Sequence, residues 1–574
     1  MSGQIKLPSF PRKRESSGIN DSPQGGLLFS IHKGALFALL SVGCQSVVLS
    51  AELDLVMAAK AGDYARLESL IKSGSDVNYP EADGATALAW AVYNDKADAV
   101  DLLIKAGADV NAANDYGIAP LHLACTNQNA RIVANLLENG AEPDKPKLTG
   151  ETPLMTCAGM GVTTAVQQLI EYGADPNAKE AEDEQTALMW AAAEKHSDVV
   201  KLLISNGADA NAKSRIVPFA EPHIIEVPSV TGYNFTPSIR FRKFTGGFTA
   251  LQFAAQQGDL ESARAMLETE AGADLNYSNE ENGTALMVAI ASGHEQLGKY
   301  LLEKGADPNV KDWYGLAPIH YALHEGVMIM NGRSPYGSDH LGWERKNMPG
   351  MVKTLLDFGA DPNVRVDYEY PKLDNEFFRS NDNPSQIHIT GATPLHLAAA
   401  SGDLSSMRTL AERGADFSLK TAGGASVLLL AAGGGAEAGM RDEMQSIETA
   451  KLAMSMGDKD INVSLTDKSV INGPGAGKED GRTIAHFAVT TGWKEMIRFL
   501  AENKANLDFA DRYGMTPLML AMGDPESRYY RSIGIGRYDD RYRRIPVNEE
   551  MEALLLEIGA KPFAGKIIKK GSVD

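Results

Sequence analysis

"YGIAPLHLACTNQNARIVANLLENGAEPD", Tyr116 to Asp144, is one copy of a phrase that returns along this chain as "GETPLMTCAG", "EQTALMWAAA" and "GATPLHLAAA". Its leucine, Leu121, has counterparts at Leu55, Leu88, Leu154, Leu188, Leu251, Leu286, Ile319, Leu395, Leu428, Ala485 and Leu518, and the step from Leu88 to Leu121 is 33 residues. A glycine marker follows most of these positions by 19 residues, as in "GADVN" at Gly107 and "GAEPD" at Gly140. So regular a period is the mark of a repeat architecture. The residue types explain the unit. Thr before Pro-Leu caps a helix, Pro suits its first turn, and "LHLAA" supplies small side chains that let helices approach. "ARIVANLLENG" then spaces its apolar residues as a second, amphipathic helix would. Glycine ends that helix, and "ADVNAANDYG" carries turn formers through an extended finger to the next copy.

"YGIAPLHLA", "GATPLHLAAASGDL" and "DVVKLLISNGADANA" resemble the ankyrin repeat family closely, from about Ala51 to Ala560. The leader described below and "QTALMWAAAEKHSDVVKLL" look most like its secreted bacterial members. The resemblance implies an all-α repeat solenoid of about twelve stacked helix-turn-helix units with β-hairpin-like fingers. Three departures stand out: Lys504 replaces a capping glycine, Ala485 replaces an inner leucine, and "GASVLLLAAGGGAEAG" lacks the Thr-Pro. Looser packing is expected in those copies.

The chain has 574 residues, 44% hydrophobic and 23% charged, which is the composition of a packed protein. Its 75 acidic residues outnumber 55 basic ones, giving a net charge of −20 that repels phosphate backbones and argues against nucleic acid as a partner. At the N-terminus, Lys33 precedes the apolar run in "HKGALFALLSVGCQSVVLSAELD", a secretory pattern with cleavage expected before Ala51. The run is short for a membrane span. Cys44 in "LSVGC" is an alternative lipid anchor, and an apolar helix capping the array is the structural alternative. Export to the periplasm or the extracellular space is the expectation; a membrane-anchored lipoprotein or a cytoplasmic protein is the alternative.

Breaks in the spacing locate the insertions. Residues 1–50 form the N-terminal extension and 51–212 hold repeats one to five. A finger insertion occupies 213–245, repeats six to the start of eight run over 246–324, and a helix-turn insertion fills 325–347. Repeat eight ends over 348–364, a second finger insertion covers 365–389, and 390–522 hold repeats nine to the start of twelve, interrupted near 433–442 and 464–479. An Arg/Tyr-rich insertion, 523–545, precedes the end of the last repeat and the tail at 546–574. Long loops on a rigid scaffold are where recognition concentrates. Candidate partner-binding residues are therefore Tyr233, Phe235, Arg240, Phe241, Arg242 and Phe244 of the first insertion, with Tyr368 and Tyr370 of the second. In "RYYRSIGIGRYDDRYRR", Arg528, Tyr529, Tyr530, Arg531 and Tyr542 bring the arginine and tyrosine typical of binding hot spots.

No catalytic, metal or cofactor constellation emerges. His122, His320, His396 and His486 share one repeat position, and the family resemblance implies that they hydrogen-bond backbone between adjacent copies. His196 and His294 fall at the helix-helix turn, and the remaining histidines are scattered without metal spacing. "GPGAGKED" resembles a phosphate loop, but Glu479 follows Lys478 where Ser or Thr belongs. Cys125 and Cys157 occupy neighbouring copies, and helices packed about 10 Å apart hold them beyond the Cα separation of a disulfide, so both read as small core residues. The expected function is a non-catalytic scaffold that grips a protein partner on its concave finger and inner-helix surface. The alternatives are an enzyme or small-molecule site built from insertions 213–245, 325–347 and 365–389, and a purely structural spacer.

Overall fold

The structure, a computed structural model, describes residues 45–218, 244–269, 272–279, 283–312, 315–330, 345–367, 389–434, 441–465, 481–511, 515–522 and 548–561. They fall into two compact units, 45–212 and 213–561. In the first, inner helices Ala87–Tyr93, Pro120–Thr126, Pro153–Gly159 and Ala187–Ala193 alternate with outer helices Ala97–Lys105, Ala130–Glu138, Thr163–Glu171 and Ser197–Ser205. Gln45–Ala61 and Tyr64–Lys72 make the first pair. Each inner helix packs on the next inner helix and each outer helix on the next outer one. The core follows the repeat leucines: Leu55, Leu88, Leu121, Leu154 and Leu188 are buried with outer-helix residues such as Val100, Ile132 and Leu136.

The second unit continues the pattern from Ala250–Gln257 and Leu260–Leu267 to Glu549–Ile558. Its opening finger stands on an antiparallel pair, Ile216–Pro218 with Phe244–Gly246, in which Ile216 faces Gly246 and Pro218 faces Phe244. An additional helix, His324–Met330, occupies the start of the helix-turn insertion and packs on the inner helix Pro394–Ser401. Lys504 takes the left-handed conformation of the glycine it replaces, at φ 61°, so the turn survives that departure. Ser426 substitutes for the missing threonine by accepting the Leu429 N–H.

The fingers are tied to one another through one asparagine per copy. Asn78 donates to Gly107 O and accepts from Asp109 N, and Asn111 does the same with Gly140 and Glu142. Asn177, Asn309 and Asn363 repeat the arrangement. Asp144 stands in that place in one copy and accepts Asp175 N, but a carboxylate has nothing to donate to the glycine carbonyl. Burial and the neighbouring Asp175 raise its pKa, while the Asp175 N–H bond opposes the shift.

One expectation is overturned. Cys125 and Cys157 are joined as a disulfide with Cα atoms 4.6 Å apart. The separation of about 10 Å describes helix axes; Cα atoms on facing sides lie closer by two helix radii of about 2.3 Å each. Ala124, Cys157 and Ala158 are small, so nothing props the helices apart.

Asp144→Asn is expected to raise the melting temperature at neutral pH, because it removes an unfavourable charge and restores the missing donor. A folded pKa above the unfolded one means that the penalty is present above the folded value and vanishes below the unfolded one. The gain should therefore shrink as the pH falls through the carboxylate range. Thermal melts of both proteins across pH 3–8 check this, and an unchanged or lowered melting temperature at neutral pH would contradict it.

Candidate interaction surface

Two rows of side chains run along successive inner helices, and they divide structural work from exposed chemistry. The first row follows the repeat leucine by one residue. The Nδ1 of His122 accepts the Ala119 N–H and its Nε2 faces the Glu151 carbonyl of the next finger at 3.3 Å. His320 does the same between Ala317 N and Val364 O, and His486 between Thr483 N and Met515 O. His396 shows the Nδ1 half, accepting from Thr393 N. Gln252 occupies this position in another copy, accepting from Thr249 N and donating to Gly283 O. Burial pushes His122, His320 and His396 down to about 4, opposed by their backbone hydrogen bonds, and lowers His486 as well. The rings are neutral, with a proton on Nε2.

A related set closes the helix-helix turns. His196 Nε2 lies 3.1 Å from Gly159 O, and His294 Nε2 lies 2.9 Å from Gln256 O, each reaching back to the preceding copy. A Cβ on Gly161 or Gly258 would meet those rings at 2.5 Å, so glycine is required beneath them. Asn94 and Asn127 make the equivalent bonds to Ala59 O and Val92 O. In the copies carrying the insertions 325–347 and 433–442, arginine takes over. Arg345 donates to Ile290 O and Tyr321 O, and buried Arg441 donates to Ala399 O, Leu430 O and Ala431 O. Burial lowers the Arg441 guanidinium to about 10, still protonated at neutral pH. Neither arginine was foreseen from the sequence, because each lies inside an insertion that breaks the period.

The second row follows the leucine by two residues and turns toward the fingers. Trp90, Leu123 and Trp190 of the first unit and Tyr321 of the second are half-buried, whereas Thr156 of the first and Phe253, Val288, Leu397, Leu430, Phe487 and Leu520 of the second are buried. A finger carboxylate recurrently holds the polar tip of this residue: Glu81 accepts Trp90 Nε1 at 3.1 Å, Glu151 accepts Thr156 Oγ1 at 2.8 Å, and Asp312 accepts Tyr321 OH at 2.5 Å. Lys60 pairs with Glu81 at 2.6 Å and lies 4.4 Å from the Trp90 ring centroid, while Tyr93 meets that ring edge-on. Lys147 pairs with Glu151 at 2.5 Å.

Of the residues singled out from the sequence for partner binding, Phe244 is placed in backbone only, opposite Pro218. Tyr233, Phe235, Arg240, Phe241, Arg242, Tyr368, Tyr370, Arg528, Tyr529, Tyr530, Arg531 and Tyr542 lie outside the described residues. An open cleft of about 590 Å³ is lined by Glu325, Lys346, Asn347, Asp403, Arg441 and Gln445. Its groups bind one another, Lys346 with Glu325 and Asn347 with Asp403. Among the described residues no cluster of His, Cys, Asp and Glu could hold a metal ion, and no helix is long and apolar enough to cross a membrane.

The neutral histidines carry a pH dependence. Unfolded histidine titrates near 6.5, so the unfolded chain binds more protons than the folded one between that value and about 4. Their contribution is complete above about 6.5 and is lost as the pH falls toward 4. Replacing His122, His320, His396 and His486 together by Gln, on the pattern of Gln252, should flatten the stability profile between pH 6.5 and 4. An equally steep loss in the variant, read by denaturant unfolding, would assign it to other groups.

Comparison with known proteins supplies the family. The description "Ankyrin repeats (3 copies)" matches residues 55–147, 142–214, 237–312 and 445–527, and "Ankyrin repeat" matches 390–422. An "L-asparaginase" of Dirofilaria immitis is 32% identical over 146 residues, 24% of each chain. The "B-cell lymphoma 3 protein homolog" of Mus musculus is 28% identical over 187 residues, 32% of each chain. The "NF-kappa-B inhibitor alpha" of Sus scrofa is 32% identical over 109 residues, 16% of this chain and 35% of that one. The chain thus spans between about a quarter and a third of the length of these relatives. With matched segments in both units and the same helix pairs, turns and fingers recurring between them, the chain belongs to the ankyrin repeat family.

Proposed function

We propose that this protein is a non-catalytic scaffold that binds a protein partner through its finger and inner-helix surface. The observation that carries the reading is the division between the two rows. Histidines and asparagines consumed by inter-copy hydrogen bonds hold the frame, and Trp90, Tyr93 and Leu123 stand beside them on a face with no packing role large enough to bury them. Large aromatic side chains that keep part of their surface in water are the usual anchors of recognition. The insertions 213–245, 365–389 and 523–545, with their Phe, Tyr and Arg residues, extend the same capacity. Affinity capture from native extract tests the reading. A specific protein should be retained, and Trp90→Ala with Tyr93→Ala should weaken its binding by about 10-fold or more. Retention of no protein, or turnover of a small molecule, would replace it with the spacer or enzyme alternative.

We further propose export. The apolar run after Lys33 supports it, and so does the buried Cys125–Cys157 disulfide, since such bonds persist in oxidising compartments. The relatives named above are animal proteins, so membership of a secreted bacterial group rests on the leader and on "QTALMWAAAEKHSDVVKLL" alone. Fractionation with intact-mass analysis should find protein outside the cytoplasm that starts near Ala51, or is lipidated at Cys44. Its Cys125 and Cys157 should resist alkylation until reduced. Cytoplasmic protein retaining residues 1–50 with two reactive thiols would end this proposal.

A further inference from the structure

Along the finger face of the first unit, every finger carries a net negative charge. In the fingers 76–85, 109–118, 142–151 and 175–185, acidic residues outnumber basic ones every time. The basic residues that do reach this face are engaged in a telling way. Lys60 sits over the Trp90 ring and on the Glu81 carboxylate at once, and Lys147 sits on Glu151. An ammonium held between an indole face and a carboxylate is the arrangement by which proteins recognise cations. Here the chain fills that seat with a side chain of its own. The Lys60–Glu81 pair is only partly withdrawn from water, with side-chain exposures of 38% and 21%, so exchanging one ammonium for another costs little. Nearby finger tips add apolar footing. Tyr116 is 65% exposed and Leu148 75% exposed, and they are neighbours through a Leu148 N–H to Tyr116 O hydrogen bond.

Resting on the scaffold reading above, we infer that the partner presents an extended basic segment to repeats two to five, one of whose lysines or arginines displaces Lys60 from the seat formed by Trp90 and Glu81. Successive copies lie about 10 Å apart and an extended chain advances about 3.3 Å per residue, so cationic residues spaced about three apart meet successive fingers. Apolar residues between them reach the Tyr116 and Leu148 step. The acidic fingers supply long-range attraction, and the Trp90 seat supplies the specific contact.

The test uses the full chain and two synthetic peptides of about twelve residues, four Lys-Gly-Leu repeats and four Glu-Gly-Leu repeats, a length that follows from the same spacing. The lysine peptide should bind and the glutamate peptide should not. Lys60→Ala should tighten lysine-peptide binding several-fold by vacating the seat. Lys105→Ala, an identical change of charge on an outer helix, should leave it unaltered. Glu81→Gln keeps an acceptor for Trp90 Nε1 and should weaken binding about 5-fold or more. Equal effects of Lys60→Ala and Lys105→Ala, or wild-type binding by Glu81→Gln, would overturn the inference. Competition separates it from the scaffold reading. Release of a captured partner by the lysine peptide supports both. A partner that resists the peptide and ignores Lys60→Ala and Glu81→Gln leaves the scaffold reading standing and sinks this one. Capture of no protein sinks the scaffold reading, while the peptide series still decides whether the seat exists.

Discussion

A helix of seven residues cannot satisfy its own backbone. Four N–H groups at one end and four carbonyls at the other lack partners inside any α-helix, so in Pro120–Thr126 or Pro153–Gly159 internal bonds serve only a minority of the groups. Everything characteristic of this fold answers that shortage. Threonine or serine closes the N-terminus, the neighbouring copy's His, Asn or Arg closes the C-terminus, and His122, Gln252, His320 and His486 each link a helix start to the next finger. The partners come from the adjacent repeat, so no copy is complete alone, and regularity of sequence is the means by which donors meet acceptors at every step.

The same constraint explains where freedom remains. Positions spent on inter-copy bonds tolerate little change: a Cβ on Gly161 would collide with His196. The residue two after the repeat leucine faces the fingers and has no such duty, and there the residue type changes from copy to copy. The first unit exposes part of Trp90, Leu123 and Trp190, while the second buries Phe253, Val288, Leu397, Leu430, Phe487 and Leu520 and leaves Tyr321 half-buried. Substituting one residue type at a fixed geometric position changes what a partner meets without disturbing the frame. That is how a single architecture acquires distinct binding chemistry, and why the fold by itself does not name a partner.

Insertions obey the frame as well. Arg345 and Arg441 follow long interruptions between two helices of one copy, yet each returns a guanidinium to the carbonyl ends that His196 or Asn94 serve elsewhere. Arginine suits the task because its fork carries five donors and reaches two helices together. Burying a charge so deeply is tolerable only because carbonyl oxygens surround it.

Local periodicity was enough to establish the repeat, its helices, its turns and the shared position of His122, His320, His396 and His486. Each depends on residues close in the chain or one period apart, and a 33-residue step makes those neighbours visible in one dimension. The sequence also determined the net acidity of the fingers, since charge needs no coordinates. Tertiary structure decided what depends on distances across copies. It brought Cys125 and Cys157 to 4.6 Å because facing Cα atoms lie two helix radii nearer than the axes that sequence reasoning can estimate. It placed Arg441 among carbonyls that lie 10 to 42 residues away in the chain. It set Lys60 over Trp90, 30 residues apart in sequence and 4.4 Å apart in space, because the side chain of one copy leans on the face of the next, a contact that no spacing rule specifies.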